Sequence, residues 1–242
     1  MESKKSLITY KSLFISDVHL GTKGCQADKL LEFFKFSRSE NLYLVGDIID
    51  VWAMQKTFYW PQPHNDVIQK ILRKARHGTK VFYIVGNHDE VFRKFIPMHF
   101  GDINIVNRVI HETQLGKKYL VVHGDAWDGV MKYAKWLSKL GSIAYELLLR
   151  LNIVINFFRK LRGKSYWSLA KFLKYKVKNA VKYIGEYERT VSDYAKRKKY
   201  DGIICGHIHH AEDQNFDGIN YLNCGDWVES GNALADKYYG TF

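Results

Sequence analysis

The chain has 242 residues, of which 46% are hydrophobic, and it carries a formal net charge of +12. A chain of this length and composition buries a full core, which excludes a disordered protein and favours one domain, or one domain with an insertion. Its first residues contain no apolar secretory core and its three cysteines form no CxxC pair, so we expect a cytoplasmic protein without a disulfide framework.

Short apolar runs that end in Gly, Asp, Asn or His recur along the chain and predict strands buried on both faces. They are FISDVHLG (14–21), LYLVGD (42–47), KVFYIVGNHD (80–89), KKYLVVHGD (117–125), YDGIICGH (200–207) and INYLNCGD (219–226). Helical patterns lie between them at residues 28–38 and 65–78. This alternation predicts an α/β domain with a central sheet or paired sheets, whose ligands gather at the carboxyl ends of the strands.

The segment 129–197 differs from the rest of the chain. Residues 129–200 contain 18 Lys and Arg against 4 acidic residues, a net of +14, whereas the remainder has a net of −2 (19 basic, 21 acidic). Its pattern is helical, and charged residues interrupt its most apolar part, so no transmembrane helix is expected. We predict a single domain over 1–242 with a basic helical cap inserted at 129–197. The apolar face of the cap either lies on an anionic membrane surface or packs on the body of the protein.

A possible metal ligand follows each of the first five predicted strands. Because residues two apart in a strand point to the same side, Asp17 and His19 are expected to converge, as are His207 and His209. One metal ion cannot use all of these ligands, whereas two divalent ions that share a carboxylate can. The donors are imidazole, carboxylate and amide without thiolate, which suits Mn²⁺, our first choice, as well as Fe or Zn²⁺. The predicted ligands are Asp17, His19, Asp47, Asn87, His123, His207 and His209.

Five sequence blocks occur in one order along the chain: D-x-H (17–19), GD (46–47), GNHD (86–89), HGD (123–125) and GHxH (206–209). With these blocks the chain resembles the calcineurin-like metallophosphoesterase family over its whole length apart from the cap. The resemblance implies a four-layer α-β-β-α sandwich in which two mixed sheets lie between helices. It also implies two metal sites that share Asp47, one completed by Asp17, His19 and His209 and the other by Asn87, His123 and His207.

The chemistry expected of such a site is hydrolysis of a phosphate ester. Two ions would polarise the phosphoryl oxygens and lower the pKa of a bridging water, so that hydroxide attacks phosphorus in line. His88 is the expected catalytic residue that stabilises the transition-state charge or protonates the leaving oxygen, with Asp89 as its orienting partner. Trp52 and Trp60 flank a loop beside Asp47; core packing is their expected role, and forming a wall of the pocket is the alternative. His64, His77, His99, His111 and His210 fall outside the pattern and are interpreted as surface or core residues.

The blocks GDIIDVW (46–52), GNHDE (86–90) and GDWVES (225–230) are similar to those of bacterial UDP-2,3-diacylglucosamine pyrophosphohydrolases, which act in lipid A synthesis, and of their close relatives. The best-studied branch of these enzymes carries Arg at the position of His88. The resemblance implies a phosphate-bearing lipid or nucleotide-sugar substrate, cleaved to UMP and a sugar 1-phosphate. Lys171, Lys174 and Lys178 are candidate ligands of its diphosphate, unless they form only a solvated cationic face, and Trp167 is a candidate contact of its base or acyl chains.

Other functions stay open at this point. A nuclease, another phosphodiesterase or phosphomonoesterase, and a metal-binding scaffold without turnover each fit the same blocks. The apolar residues of the cap favour a lipid over nucleic acid, because DNA-binding clefts need charge with little exposed apolar surface. We therefore expect peripheral contact of the cap with the inner face of the membrane.

Overall fold

The computed structural model describes residues 6–127, 163 and 184–236. The strands in this part of the chain are β1 (Ile8–Ile15), β2 (Ser37–Val45), β3 (Lys80–Ile84), β4 (Met98–Phe100), β5 (Ile103–Val106), β6 (Arg108–Glu112), β7 (Lys118–Val122), β8 (Gly202–Cys205), β9 (Glu212–Phe216), β10 (Ile219–Asn223) and β11 (Leu234–Asp236). The helices are α1 (Ala27–Phe36), α2 (Val51–Lys56), α3 (Gln62–Arg76) and α4 (184–197), with 3-10 helices at Glu90–Phe95 and Asp125–Trp127.

The chain divides into two compact units. Met1–Asp125 and Val191–Phe242 form the first, and Ala126–Thr190 forms the second. The predicted cap, 129–197, falls largely outside the described residues, apart from 163 and the helical residues 184–197. Its extent as an inserted unit remains a prediction.

The first unit contains two mixed sheets. The order of the first sheet is β11-β1-β2-β3-β5-β4, in which β1, β2, β3 and β5 are parallel and the two edge strands are antiparallel. The order of the second is β6-β7-β8-β10-β9, in which β7, β8 and β10 are parallel. Parallel strands place their carboxyl ends at one edge of a sheet, so both sheets present such an edge to a ligand.

Successive side chains of a strand point to opposite faces of its sheet, and this alternation explains how the helices and the two sheets form layers. On β1, Leu13 and Ile15 pack with Leu30 of α1 and Ile71 of α3, whereas Phe14 between them packs against the second sheet. Leu120 and Ile203, on the outer face of the second sheet, are also buried. Val191 and Ala195 on α4 are buried as well. The order helix, sheet, sheet, helix confirms the predicted α-β-β-α sandwich, in which central strands such as β2 and β8 are buried on both faces.

The predicted elements need corrections at their ends. Residues 28–38 were expected to be helical, but β2 already begins at Ser37, because Ser37 and Arg38 pair in parallel with Ile8 and Thr9 of β1. The helix expected at 65–78 begins earlier, at Gln62, and Pro61 is its N-cap residue. Tertiary pairing overrides a helical pattern that continues past the true end of α1.

No helix in the described ranges combines the length and the apolar character needed to cross a bilayer.

Candidate metal centre

The predicted ligands follow the expected strands, but the reason for their convergence differs from the expected one. None of them lies in a strand, so the two-residue alternation of a strand does not apply. Five of them instead adopt left-handed backbone conformations with φ between 51° and 71°: Asp17, His19, Asp47, His207 and His209. Such angles cost non-glycine residues of the order of 1 kcal/mol or more, and they concentrate at functional sites.

Backbone hydrogen bonds join the loops that carry these residues. The amide of Asp17 donates to Gly46 O at 3.1 Å, and the amide of His19 donates to Asp47 O at 2.9 Å. Between the loops of the second sheet, the amide of Gly206 donates to His123 O at 3.1 Å. The side chains therefore project from loops that hold one another in place.

Three groups of side chains bring their donor atoms within 4.8 Å of one another. They are Asp17, His19 and His209; His19, Asp47 and His88; and Asp47, His123 and His207. The first and third groups correspond to the two predicted sites, and Asp47 lies between them: its Oδ2 is 3.3 Å from His123 Nε2 and 3.9 Å from His19 Nε2. Asn87 joins the third group, since its Oδ1 lies 3.3 Å from His123 Nε2.

The carboxylates of Asp17 and Asp47 fit cations. Both side chains are fully buried, and within the described residues one oxygen of each, Asp17 Oδ1 and Asp47 Oδ2, accepts no hydrogen bond of good geometry. The imidazole nitrogens His209 Nε2 and His123 Nε2 lie 3.1 Å and 3.3 Å from these two oxygens respectively. The other oxygens of the two carboxylates accept backbone hydrogen bonds, from His207 N at 2.8 Å and from His88 N at 2.8 Å respectively. A buried carboxylate oxygen without a good hydrogen bond is costly unless a positive charge lies beside it.

Hydrogen bonds donated by Nδ1 orient two of the imidazoles. His123 Nδ1 lies 2.9 Å from the carbonyl oxygen of Val45, and His19 Nδ1 lies 2.9 Å from Asp50 Oδ2. Both partners are acceptors, so each Nδ1 carries the proton and each Nε2 is free to bind a metal in the neutral ring. These are the Nε2 atoms that face Asp47.

The same carboxylates set the protonation of the histidines. Burial would lower the pKa of His19 and His123, but the carboxylates of Asp17 and Asp50 raise the pKa of His19 to about 9, and Asp47 raises that of His123 to about 10. Burial alone would raise the pKa of Asp17 and Asp47, but the nearby imidazoles hold both well below the usual value. Without metal, His19 and His123 are imidazolium ions beside the carboxylates of Asp17 and Asp47 near neutral pH.

This electrostatic balance predicts that metal uptake releases protons. Up to about pH 9, His19 and His123 hold protons that a metal at Nε2 must displace. The apparent affinity for metal therefore increases as the pH rises toward 9–10 and decreases as the pH is lowered from that range. We expect release of about two protons at pH 7 in calorimetric titrations with Mn²⁺ run in buffers of different ionisation enthalpy. His19→Gln should reduce the release by about one proton. Uptake without proton release at pH 7 would contradict the inferred protonation.

His88 is held in the same centre, but not by the residue expected from sequence. Its Nδ1 lies 3.0 Å from Asp50 Oδ1, and its Nε2 lies 3.9 Å from Asp47 Oδ2. Asp89, the expected partner, instead accepts hydrogen bonds from the amides of Gly86 and Ile48 and from the hydroxyl of Tyr83. These three hydrogen bonds join the loops to the buried carboxylate. Because they occupy both of its oxygens, Asp89 does not orient His88.

Asp50 is the site residue that sequence reasoning missed. Its carboxylate contacts His19 through one oxygen and His88 through the other, and it also caps α2 by accepting from the amide of Ala53 at 2.7 Å. Burial would raise its pKa, but His19, His88 and the Ala53 amide hold it well below the usual value. The motif GDIID (46–50) does indicate a structural role for Asp50, because an aspartate directly before a short helix is a common N-cap.

The remaining sequence-based candidates are placed as follows. Trp52 is 41% exposed and its ring lies 4.6 Å from that of His88, so the expected core role is wrong for this residue. Trp60 packs against His64 and the main core, as expected. His64 and His111 are buried, whereas His77, His99 and His210 are exposed. The proposed substrate contacts, Trp167, Lys171, Lys174 and Lys178, lie outside the described residues.

Two glycines permit the close approach of the loops. A Cβ on Gly86 would lie 2.3 Å from Asp47 Oδ1 and 2.6 Å from its amide nitrogen, and one on Gly206 would lie 2.4 Å from Asp17 Oδ2. We expect Gly86→Ala to lower stability by about 1–3 kcal/mol and to reduce bound metal, because the added methyl group displaces the carboxylate. Gly185→Ala is the matched control, since no atom lies within 4 Å of its added Cβ. Metal analysis and thermal unfolding measure both effects, and unchanged metal content in Gly86→Ala would contradict the packing argument.

This chain is similar in sequence and in fold to several known proteins. A protein of Ectopseudomonas mendocina described as a UDP-2,3-diacylglucosamine hydrolase is 27% identical over 240 residues, covering 92% of each chain. Another of that description, from Blochmanniella pennsylvanica, is 25% identical over 204 residues, covering 81% of this chain and 78% of its own. Among solved structures, the E. coli phosphoesterase Yfce aligns with 95% of this chain and 83% of its own, at 14% identity and a TM-score of 0.43.

Two mixed sheets with imidazoles and carboxylates gathered beyond their strands are typical of metal-dependent phosphoesterases. The profile described as calcineurin-like phosphoesterase matches residues 10–211, more than half of the chain. The chain therefore belongs to the calcineurin-like phosphoesterase family, and it is a metal-dependent hydrolase.

Proposed function

We propose that this protein hydrolyses the pyrophosphate bond of UDP-2,3-diacylglucosamine, or of a closely related nucleotide-diphosphate lipid or sugar, to UMP and the sugar 1-phosphate. The names of the relatives, which align with most of the chain, support this substrate class. The basic segment 129–200 supports a substrate that carries phosphate groups. Peripheral contact of that segment with an anionic membrane surface belongs to the same proposal.

Two divalent ions are proposed for the centre. Asp17, His19 and His209 would hold one, and Asn87, His123 and His207 the other, with Asp47 as a ligand of both. The observation that carries this assignment is the position of Asp47, whose buried Oδ2 lies between two groups of imidazoles. The donor set suits Mn²⁺, Fe or Zn²⁺, and Mn²⁺ is our first choice.

When bound, such ions supply Lewis-acid polarisation of phosphoryl oxygens and lower the pKa of bound water. The remaining tasks fall to the side chains of the centre. His88, whose Nδ1 lies 3.0 Å from Asp50 Oδ1, presents Nε2 on the side of Asp47 Oδ2, where it can donate to a phosphoryl or leaving-group oxygen. Trp52 packs against His88, with 4.6 Å between the ring centres.

A substrate panel with the manganese-loaded protein tests this proposal. We expect release of UMP from UDP-2,3-diacylglucosamine at a kcat/KM far above that for nucleotide-diphosphate sugars without acyl chains, and no degradation of single-stranded DNA. Degradation of DNA without action on the lipid substrate would favour a nuclease. No hydrolysis of any substrate, including bis(p-nitrophenyl) phosphate, would favour a metal-binding scaffold and overturn the proposal.

A further inference from the structure

A cavity of about 600 Å³ lies at the opposite edge of the first sheet from the metal centre. It is lined by the first residues of β1 and β2, the last turns of α1 and α3, and the turn before β3. The ligands of the metal centre follow the carboxyl ends of these parallel strands, whereas this cavity lies at their amino ends. The nine residues of β2 separate the two sites by roughly 25 Å.

The lining of this cavity is strongly cationic. Its acidic member, Glu40, forms an ion pair with Lys11. Within the described part of the chain, none of the lining lysines and arginines forms a salt bridge. They are Lys35, Arg38, Lys70, Arg73 and Lys74. Five positive charges thus face one cavity while its single carboxylate is already paired.

Lys74 shows how closely these charges are packed. Its Nζ donates to Ser37 O at 2.7 Å and lies 5.0 Å from the centre of the Phe34 ring. Burial, together with the charges of Lys70 and Arg38, lowers its pKa to about 8. Ser39, which also lines the cavity, has a buried hydroxyl without a hydrogen-bond partner in the described residues. An anion in the cavity would relieve the repulsion between these cations.

The helix dipole explains only part of this cluster. Cations stabilise the last turn of a helix, which accounts for Lys35 at the end of α1 and for Arg73 and Lys74 at the end of α3. Arg38, however, is a residue of β2, and Lys70 lies before the last turn of α3. Neither charge is needed to compensate a helix end.

We propose that this cavity binds a phosphate group. Arginine and lysine side chains that converge without carboxylate partners are the usual ligands of phosphate oxygens. The cavity has a volume typical of small-molecule sites. The phosphate belongs either to a soluble compound or to a lipid headgroup, since Leu7 at the rim is exposed and apolar. This inference does not depend on the substrate proposed for the metal centre.

Calorimetric titration of the metal-loaded protein with inorganic phosphate tests the proposal. The cavity variant is Lys70→Gln with Arg73→Gln. The control variant, Arg76→Gln with Lys29→Gln, removes the same charge from exposed helical positions outside the cavity lining. Phosphate binding at the metal centre is common to all three proteins, so a difference between them isolates the cavity.

We expect the cavity variant to lose one phosphate site, or to bind there at least about tenfold more weakly, while the control variant binds like the wild type. Hydrolysis of bis(p-nitrophenyl) phosphate should be unchanged in both. Equal stoichiometry and affinity in the three proteins would overturn the proposal. If the double variant does not fold, Arg73→Gln is compared with Arg76→Gln on the same helix.

Vesicles distinguish the two sources of the phosphate. They contain phosphatidylcholine and phosphatidic acid at about 4:1, with phosphatidylcholine alone as the reference. Retention of the wild type and the control variant, but not of the cavity variant, would identify a lipid headgroup as the ligand. Equal retention of all three proteins, together with loss of phosphate binding in the cavity variant, would identify a soluble compound.

Discussion

Replacement of Asp47 with Asn is expected to abolish hydrolysis and to reduce the bound metal below two ions per chain. The buried Oδ2 of this residue lies within 4 Å of imidazoles from both proposed metal sites, and the neutral amide removes the charge that the two cations would share. Metal-based stabilisation of a phosphoryl transition state is worth several kcal/mol, so kcat should fall by about 10³-fold or more. Elemental analysis and steady-state kinetics measure the two effects.

Asp213→Asn is the matched control for this experiment. It makes the same chemical change at an exposed position of β9 and should leave both metal content and kcat as in the wild type. Wild-type activity in Asp47→Asn, with two ions still bound, would show that Asp47 is not the shared ligand.

Replacement of His88 with Ala should lower kcat by about 10²–10⁴-fold while metal content stays near that of the wild type. The seven proposed metal ligands remain in place in this variant. His88 is not one of them, and its Nε2 lies 3.9 Å from Asp47 Oδ2. Metal analysis of the variant distinguishes the two roles. Loss of an ion would make His88 a ligand, as the grouping of His19, Asp47 and His88 also permits.

The leaving group reports which task His88 performs. If His88 protonates the leaving oxygen, His88→Ala should lose less activity with p-nitrophenyl esters, whose leaving group needs little protonation, than with esters of simple alcohols. If it stabilises charge on the phosphoryl oxygens, the loss should be similar for both.

Asp50→Asn should weaken metal binding as well as turnover, because its carboxylate contacts His19 in addition to His88.

The sequence was sufficient to predict where the strands end, because buried parallel strands are continuous apolar runs and the polar residues that follow them stand out. It was not sufficient to predict how the side chains converge. The left-handed φ angles of Asp17 and His207 depend on hydrogen bonds between loops that are far apart in the chain, such as that from His207 N to Asp17 Oδ2. Residues that adopt such angles carry no clear local signal when they are not glycine.

The missed elements have a common physical cause. The edge strands β4 and β9 are mostly exposed, so they lack the apolar run that marks a buried strand. The role of Asp50 was missed because its partners, His19 and His88, are 31 and 38 residues away in sequence. Partners of this kind are set by the packing of loops, which a linear pattern does not encode.

Anomalous scattering from crystals of the manganese-loaded protein tests the central claim most directly. The account predicts two manganese peaks about 3.5–4 Å apart, on either side of the Asp47 carboxylate, one near His19 and His209 and the other near His123 and His207. A single fully occupied peak, or two peaks of which only one is within bonding distance of Asp47, would contradict it.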